Sequence, residues 1–392
     1  MSKEEKKKSP LRRGAAFLLT LALVLTAVFL VANWQKLNFD YIRRYFAYRT
    51  LERNEDGQVE SFEYDGGVNC TFARMGGDLL VCSKSGVRLY SSGGTEYVNQ
   101  TRTLSNPVVS TGGACALVYD AGGSSLYVYR DREEVFSYTT DAGQSILSAS
   151  LSAQGTLVIA TQASGVKGSV TVYDSDFQPL LGLNISSRFI TDAILSPDGR
   201  TLALATSGQT RGSYDSQIAF YRMDSLLSIA GGEPKPDALC SLGNNTILKL
   251  NWTSEPLRIL GENALVLLNT DGSEAGSYSY NWRHLKGYSL DGDGQCILLL
   301  GRYRAGTEAD LVAVDLKGEE TASLSMDRQI LSLSTAGRYL SVLTVDDLTI
   351  YTGDLEAYHI TEGLQGARKV LQNADGSVTL IAGETARLYL PD

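Results

Sequence analysis

Residues 194–206, ILSPDGRTLALAT, read as a short strand, a tight turn through Pro197, Asp198 and Gly199, and a second strand that is apolar at nearly every position. Whether this hairpin is one of many or the unit of construction decides the fold. The same pattern recurs as ARMGGDLLVCS (73–83), VSTGGACALVYD (109–120), SLSAQGTLVIAT (150–161), SLDGDGQCILLLG (289–301), SLSTAGRYLSVLT (332–344) and LQNADGSVTLIAG (371–383). These copies share a glycine, at Gly77, Gly113, Gly155, Gly199, Gly294, Gly337 and Gly376, where a tight turn calls for a positive φ. An eighth copy, LNWTSEPLRILGE (250–262), lacks the glycine and turns at Glu255 and Pro256.

A second motif keeps step with the first. After each hairpin comes a strand ending in tyrosine, at Tyr90, Tyr129, Tyr173, Tyr221, Tyr351 and Tyr389, with Leu268 and Val314 in the same place in two copies. These positions lie 37 to 48 residues apart, the period of a four-stranded propeller blade. Each blade then comprises an inner strand A, the glycine turn, a strand B covered on both faces, the tyrosine strand C and an outer strand D. The pattern predicts an all-β, eight-bladed β-propeller over residues 58–392, with seven blades as the alternative. The last copy ends at LYLPD, directly after strand C, so QVESFEY (58–64) is expected to supply its outer strand and close the ring.

The N-terminus differs in kind. Residues 1–14 are basic, with Lys3, Lys6, Lys7, Lys8, Arg12 and Arg13, and precede an uncharged run that continues to Trp34. Hydropathy predicts a transmembrane helix over 15–34, an uncleaved signal anchor. The charge bias then makes this a single-pass cell-membrane protein with a cytoplasmic N-terminus and an extracytoplasmic propeller. Residues 35–57, with Leu37, Tyr41, Tyr45 and Tyr48 at helical spacing, are expected to form a short juxtamembrane helical stalk.

Composition excludes several functions. The net charge is -9 and no basic stripe stands out, which argues against nucleic-acid binding. Two histidines, His284 and His359, leave little material for histidine metal sites or triads, and neither metal nor cofactor is expected. The five cysteines form no C-x-x-C pair, and Cys70 and Cys82 could meet across the first hairpin.

SPDGRTLALA (196–205) resembles the turn-and-strand signature of WD40-like and TolB-type propeller repeats. The overall plan is similar to uncharacterised membrane-anchored propeller families of Gram-positive bacteria. The resemblance implies the propeller fold and brings no catalytic motif. The Trp-Asp pair that ends WD40 strands is absent, as are the tryptophan docking motifs of quinone-cofactor propellers.

Function is expected on the top face, where the B–C and D–A loops lie. Three B–C loops are long, at 161–170, 206–217 and 301–310, and carry Lys167, Arg211, Tyr214, Arg302, Tyr303 and Arg304. The D–A loop at 280–287 adds Trp282, Arg283 and His284. Guanidinium groups beside aromatics suit an anionic glycan or an envelope protein, bound without catalysis. A propeller-type hydrolase or lactonase with a central metal is the enzyme alternative, and a sensor ectodomain is a third reading.

Overall fold

The computed structural model of the chain describes residues 19–26, 40–54, 57–67, 69–228, 233–364 and 366–391. They fall into two compact units, Met1–Thr50 and Leu51–Asp392.

The second unit contains eight four-stranded antiparallel sheets. Blade 1 comprises Thr71–Met75, Asp78–Cys82, Gly86–Tyr90 and Glu96–Thr101 as strands A to D. Blade 4 is longer, with Phe189–Leu195, Thr201–Thr210, Ser213–Arg222 and Ala238–Gly243. Blades 5 and 6 are Ile247–Asn251, Leu257–Gly261, Ala264–Leu268 and Glu274–Ser279, then His284–Ser289, Gln295–Gly301, Ala309–Asp315 and Glu320–Met326. The eight-bladed, all-β reading holds, and the glycine-less copy is a full blade.

Strand B is buried along its whole length in most blades, as in Asp78–Cys82, Leu257–Gly261 and Gln295–Gly301. A sheet covered on both faces needs such strands. The outer strands alternate instead, as in Glu133–Thr139, because only one of their faces packs inward. The tyrosines that end strand C are structural. Tyr129 is fully buried and its hydroxyl donates to Gln100 Oε1 at 2.7 Å, while burial and the Glu233 charge push Tyr221 up to about 12.

Eight apolar clusters form the core, one between each pair of neighbouring blades. Leu80, Leu89, Ala116 and Val118 join blades 1 and 2; Leu260, Leu267, Leu298 and Val312 join blades 5 and 6. The cluster of Leu79, Val81, Ile381 and Ala386 joins blade 8 to blade 1 and completes the circle. Blade 8 is Ala367–Gln372, Val378–Ala382 and Thr385–Tyr389, and its outer strand is Phe62–Glu63 from the N-terminal side, paired Phe62 to Ala386 and Glu63 to Thr385. The pairing continues down the strand, with Val59 N–H donating to Leu388 O at 2.9 Å and Leu390 N–H to Gly57 O at 2.9 Å. Tyr64, 4% exposed, fixes the upper end by donating its hydroxyl to Gly383 O at 2.8 Å.

Three expectations need correction. The positive φ of the first hairpin belongs to Gly76, not Gly77, because Met75 pairs with Asp78 and leaves a two-residue turn whose first position is left-handed. Apart from these corrections, the open question of a Cys70–Cys82 bridge is answered: all five cysteines are free thiols, and Cys82 faces Thr71 across the hairpin, with Cys70 one residue beyond. The second correction concerns the transmembrane helix over 15–34, and the third the helical stalk over 35–57.

Residues 19–26 are helical. No helix among the described residues is long and apolar enough to cross a membrane. The remainder of that segment, 15–18 and 27–34, lies outside the described residues, as do 1–14. The signal anchor, the membrane attachment through 15–34 and the single-pass topology drawn from it are therefore withdrawn.

The expected helical stalk over 35–57 is likewise overturned. A nine-residue helix, Asp40–Tyr48, is all that forms there among the described residues. From Leu51 the chain belongs to the propeller unit: Arg53 bridges to Val59, and Gln58 N–H donates to Asn54 Oδ1 at 2.8 Å.

In blades 3 to 8 the inner strand carries a β-bulge near its start. The registers skip Leu147, Thr191, Leu248, Lys286, Leu331 and Arg368. A bulged residue leaves the pairing ladder and is re-aimed, here at the top end of the inner strands. Leu248 and Lys286 enter the site through this device.

Candidate functional site

A cavity of about 1030 Å³ opens on the top face around the junction of blades 5 and 6. Its wall comes from five short connections. They are the D–A turn entering blade 5 (Asn244), the B–C turn of blade 5 (Glu262 and Asn263), the D–A turn at 280–283, the B–C loop of blade 6 (Arg304, Gly306 and Thr307) and the D–A turn entering blade 7 (Gln329).

These turns are held from below. Asn245 is buried and accepts from Asn263 N–H at 2.9 Å while donating to Ala264 O at 3.1 Å. A Cβ at Gly261 would stand 2.2 Å from that amide, so the strand end is closed to any other residue. Tyr280, 1% exposed, donates to Gly261 O at 3.1 Å and ties the D–A turn to the B–C turn. Lys286 Nζ donates to Gly306 O at 2.7 Å and Glu308 O at 3.2 Å, pinning the blade 6 loop.

The 280–283 turn is left-handed at both central positions, like that at Asp131 and Arg132. Arg283 N–H donates to Tyr280 O at 3.0 Å, and both central residues are left-handed, Asn281 at φ 51 and Trp282 at φ 68. This is the type I′ geometry that favours Asn-Gly. A bulky residue at positive φ is a true outlier, and Trp282 is also 99% exposed.

Arg283 is engaged internally, while Arg304 stays exposed. Arg283 Nε donates to Tyr280 O at 3.1 Å, one terminal nitrogen donates to Tyr278 OH at 2.7 Å and the other to Asp310 Oδ2 at 3.4 Å. Tyr278 in turn donates to Glu320. Burial, then the Glu320 contact, raises the Tyr278 hydroxyl above its ordinary value, with Arg283 opposing. Arg304 lies 3.9 Å from Glu262, both well exposed.

Of the residues singled out from sequence, Trp282, Arg283, His284 and Arg304 line this cavity. Arg302 and Tyr303 stand exposed on the same blade 6 loop without lining it. Lys167 lies elsewhere, donating to Ser187 O at 3.0 Å with its ammonium 5.1 Å from the Phe189 ring centre. Arg211 and Tyr214 sit at the end of the long blade 4 hairpin, where Arg211 and Gly212 form the turn at φ 54 and 83.

Asp215 braces that hairpin. Only 4% exposed, it accepts from Ser241 Oγ at 2.6 Å, Thr210 Oγ1 at 2.8 Å and Gln217 Nε2 at 2.5 Å, with Arg188 at 3.5 Å. Burial opposes its ionisation, but these hydrogen bonds and the Arg188 charge prevail and hold the carboxyl below its ordinary value.

Sequence reasoning missed Asn244, Glu262, Asn263 and Gln329, which also line the cavity. They are ordinary polar turn residues, and only the folding of successive blades brings them together. A smaller cavity, about 210 Å³, opens among inner strands, where Lys249 and Lys369 are offset by Asp291. Among the described residues, no group of three or more His, Cys, Asp or Glu side chains could hold a metal ion.

Residues 44–233, just under half of the chain, match a family of unknown function (DUF5711). No curated protein matches the chain. Among solved structures, the chain is similar to the C-terminal WD40 domain of Sif2, with a TM-score of 0.60 and 14% identity over 86% of this chain and 99% of that one. It is also similar to BamB from Moraxella catarrhalis, with a TM-score of 0.54 and 14% identity over 86% and 97%. A third is the quinohemoprotein alcohol dehydrogenase ADHIIG from Pseudomonas putida HK5, with a TM-score of 0.54 and 11% identity over 84% and 75%. These likenesses establish the β-propeller fold and nothing finer.

Proposed function

We propose that this protein is a non-enzymatic binding or scaffold protein that holds its ligand or partner on the top face, at the junction of blades 5 and 6. A rigid ring that carries recognition on short loops suits such a role, although the same fold also carries a dehydrogenase among its structural neighbours. The repeat-level resemblance to WD40-like and TolB-type propellers fits the same reading. One observation carries it: a cavity of about 1030 Å³ is rimmed by an indole that is 99% exposed on a left-handed backbone. Strain kept at an exposed position that packs against nothing points to use rather than to stability. The lactonase alternative has no supporting cluster of metal ligands among the described residues.

The test is affinity capture from the native host with the full chain, comparing three forms. These are the wild type, a top-face double variant (Trp282→Ala with Arg304→Ala) and a control at the exposed A–B turn residue Arg200 (Arg200→Ala). A ligand retained by the wild type and the control but lost by the double variant is the expected result. Equal retention by all three would overturn the assignment.

A further inference from the structure

The arginines and lysines of the top loops, read in sequence, favour an anion. The structure redirects that reading. Arg283 is consumed by Tyr280, Tyr278 and Asp310, Lys286 by two loop carbonyls, and Arg304 faces Glu262. An anion entering here would have to displace these contacts and would still meet Glu262 at the wall.

What remains unengaged is of another chemical kind. The side-chain amides of Asn244, Asn263, Asn281 and Gln329 line the cavity and make no hydrogen bond among the described residues. Each offers a donor and an acceptor side by side, the complement of two neighbouring hydroxyls. Beside them stands Trp282, whose flat, fully exposed face can cover the C–H face of a pyranose ring. A protein partner would instead need a central apolar contact. Among the residues lining the cavity, Trp282 and Leu248 are the large exposed apolar groups.

We infer that the cavity at the blade 5–6 junction binds a neutral oligosaccharide, with one ring stacked on Trp282 and its hydroxyls held by the surrounding amides. This rests on the top-face reading above and deepens it. A volume of about 1030 Å³ accommodates several sugar rings, so recognition extends beyond a monosaccharide.

The experiment titrates the full chain with chitotetraose, cellotetraose and maltotetraose, and with tetragalacturonate as the acidic counterpart, by calorimetry and tryptophan fluorescence. At least one neutral tetrasaccharide is expected to bind, with an affinity unchanged by added salt. Trp282→Ala and Asn263→Asp should each weaken it by about tenfold or more. Both side chains are exposed, so circular dichroism and the unfolding midpoint should stay at wild-type values. The inference is overturned if no neutral sugar binds, if only tetragalacturonate binds with steep salt dependence, or if Trp282→Ala binds as the wild type does. Should the sugars fail while the captured partner still depends on Trp282 and Arg304, the saccharide class falls and the top-face site stands. If capture is also indifferent to those residues, both fall.

Discussion

Replacing Trp282 by glycine should make the protein more stable while removing the feature that marks its site. The 280–283 turn closes through the Arg283-to-Tyr280 hydrogen bond with Asn281 and Trp282 both at positive φ. Holding an L-residue in the left-handed region costs about 1–2 kcal/mol, which glycine does not incur. Against this, the extra freedom of glycine in the unfolded chain costs about 0.5–1 kcal/mol. The indole is 99% exposed, so its removal forfeits almost no burial. The balance favours Trp282→Gly by about 0.5–1 kcal/mol, and the turn becomes the preferred Asn-Gly. Trp282→Ala retains the Cβ and with it the strain, so it should lie within about 0.5 kcal/mol of the wild type. In a unit of this size such a gain moves the melting temperature by only about 1–2 °C, and urea unfolding of all three forms is the better assay. A glycine variant less stable than the alanine variant would refute the reasoning, because it would show that the turn is not left-handed at this position.

Two further outcomes follow from buried polar groups. Arg258, 1% exposed in strand B of blade 5, donates to Leu290 O and, at 3.2 Å, to Gly292 O of blade 6, and to Ser254 Oγ at 2.9 Å. Arg258→Met should strand those two carbonyls and lower stability by about 1–3 kcal/mol, read as a lower urea midpoint at unchanged slope. Asp215 has a depressed folded pKa, so its stabilisation is complete above the unfolded value of about 3.9 and is lost as pH falls through the folded value. Asp215→Asn should therefore be less stable than the wild type at neutral pH, with the gap closing below about pH 4; a constant gap would contradict the assignment.

The repeating architecture was legible because its signals are local. A left-handed glycine in an A–B turn, as at Gly199, and a tyrosine ending strand C, as at Tyr129, are each demanded by chemistry within one blade. Periodicity then multiplied a weak signal eightfold. The error at Gly77 was one of register inside Gly76-Gly77, where either residue could supply the positive φ and only the Met75–Asp78 pairing chooses. Hydropathy over 15–34 reports composition alone, and no helix among the described residues is long and apolar enough to cross a membrane.

The site was legible only in part, and for a different reason. Trp282 and Arg304 stand out as loop residues of unusual type. The pairing of Arg283 with Asp310, or of Arg304 with Glu262, depends on which loops the ring brings side by side. Those contacts engage two of the cations on the rim. Asn244, Asn263 and Gln329 carry the polarity of any turn and become distinctive only through their shared cavity.

The account depends on a ring closed by residues 57–64, and a designed cross-link tests that directly. Tyr64 N–H donates to Glu384 O, so Glu63 and Thr385 form the adjacent non-hydrogen-bonded pair, where Cα atoms approach to about 4.5 Å, within disulfide reach. With Cys70 and Cys240, the two partly exposed thiols, changed to serine, the double variant Glu63→Cys, Thr385→Cys should oxidise spontaneously to one intramolecular bridge. Mass spectrometry should find peptides 63 and 385 joined, with a raised unfolding midpoint. Thiols that remain free under oxidising conditions, or that pair only between molecules, would contradict the closed eight-bladed ring.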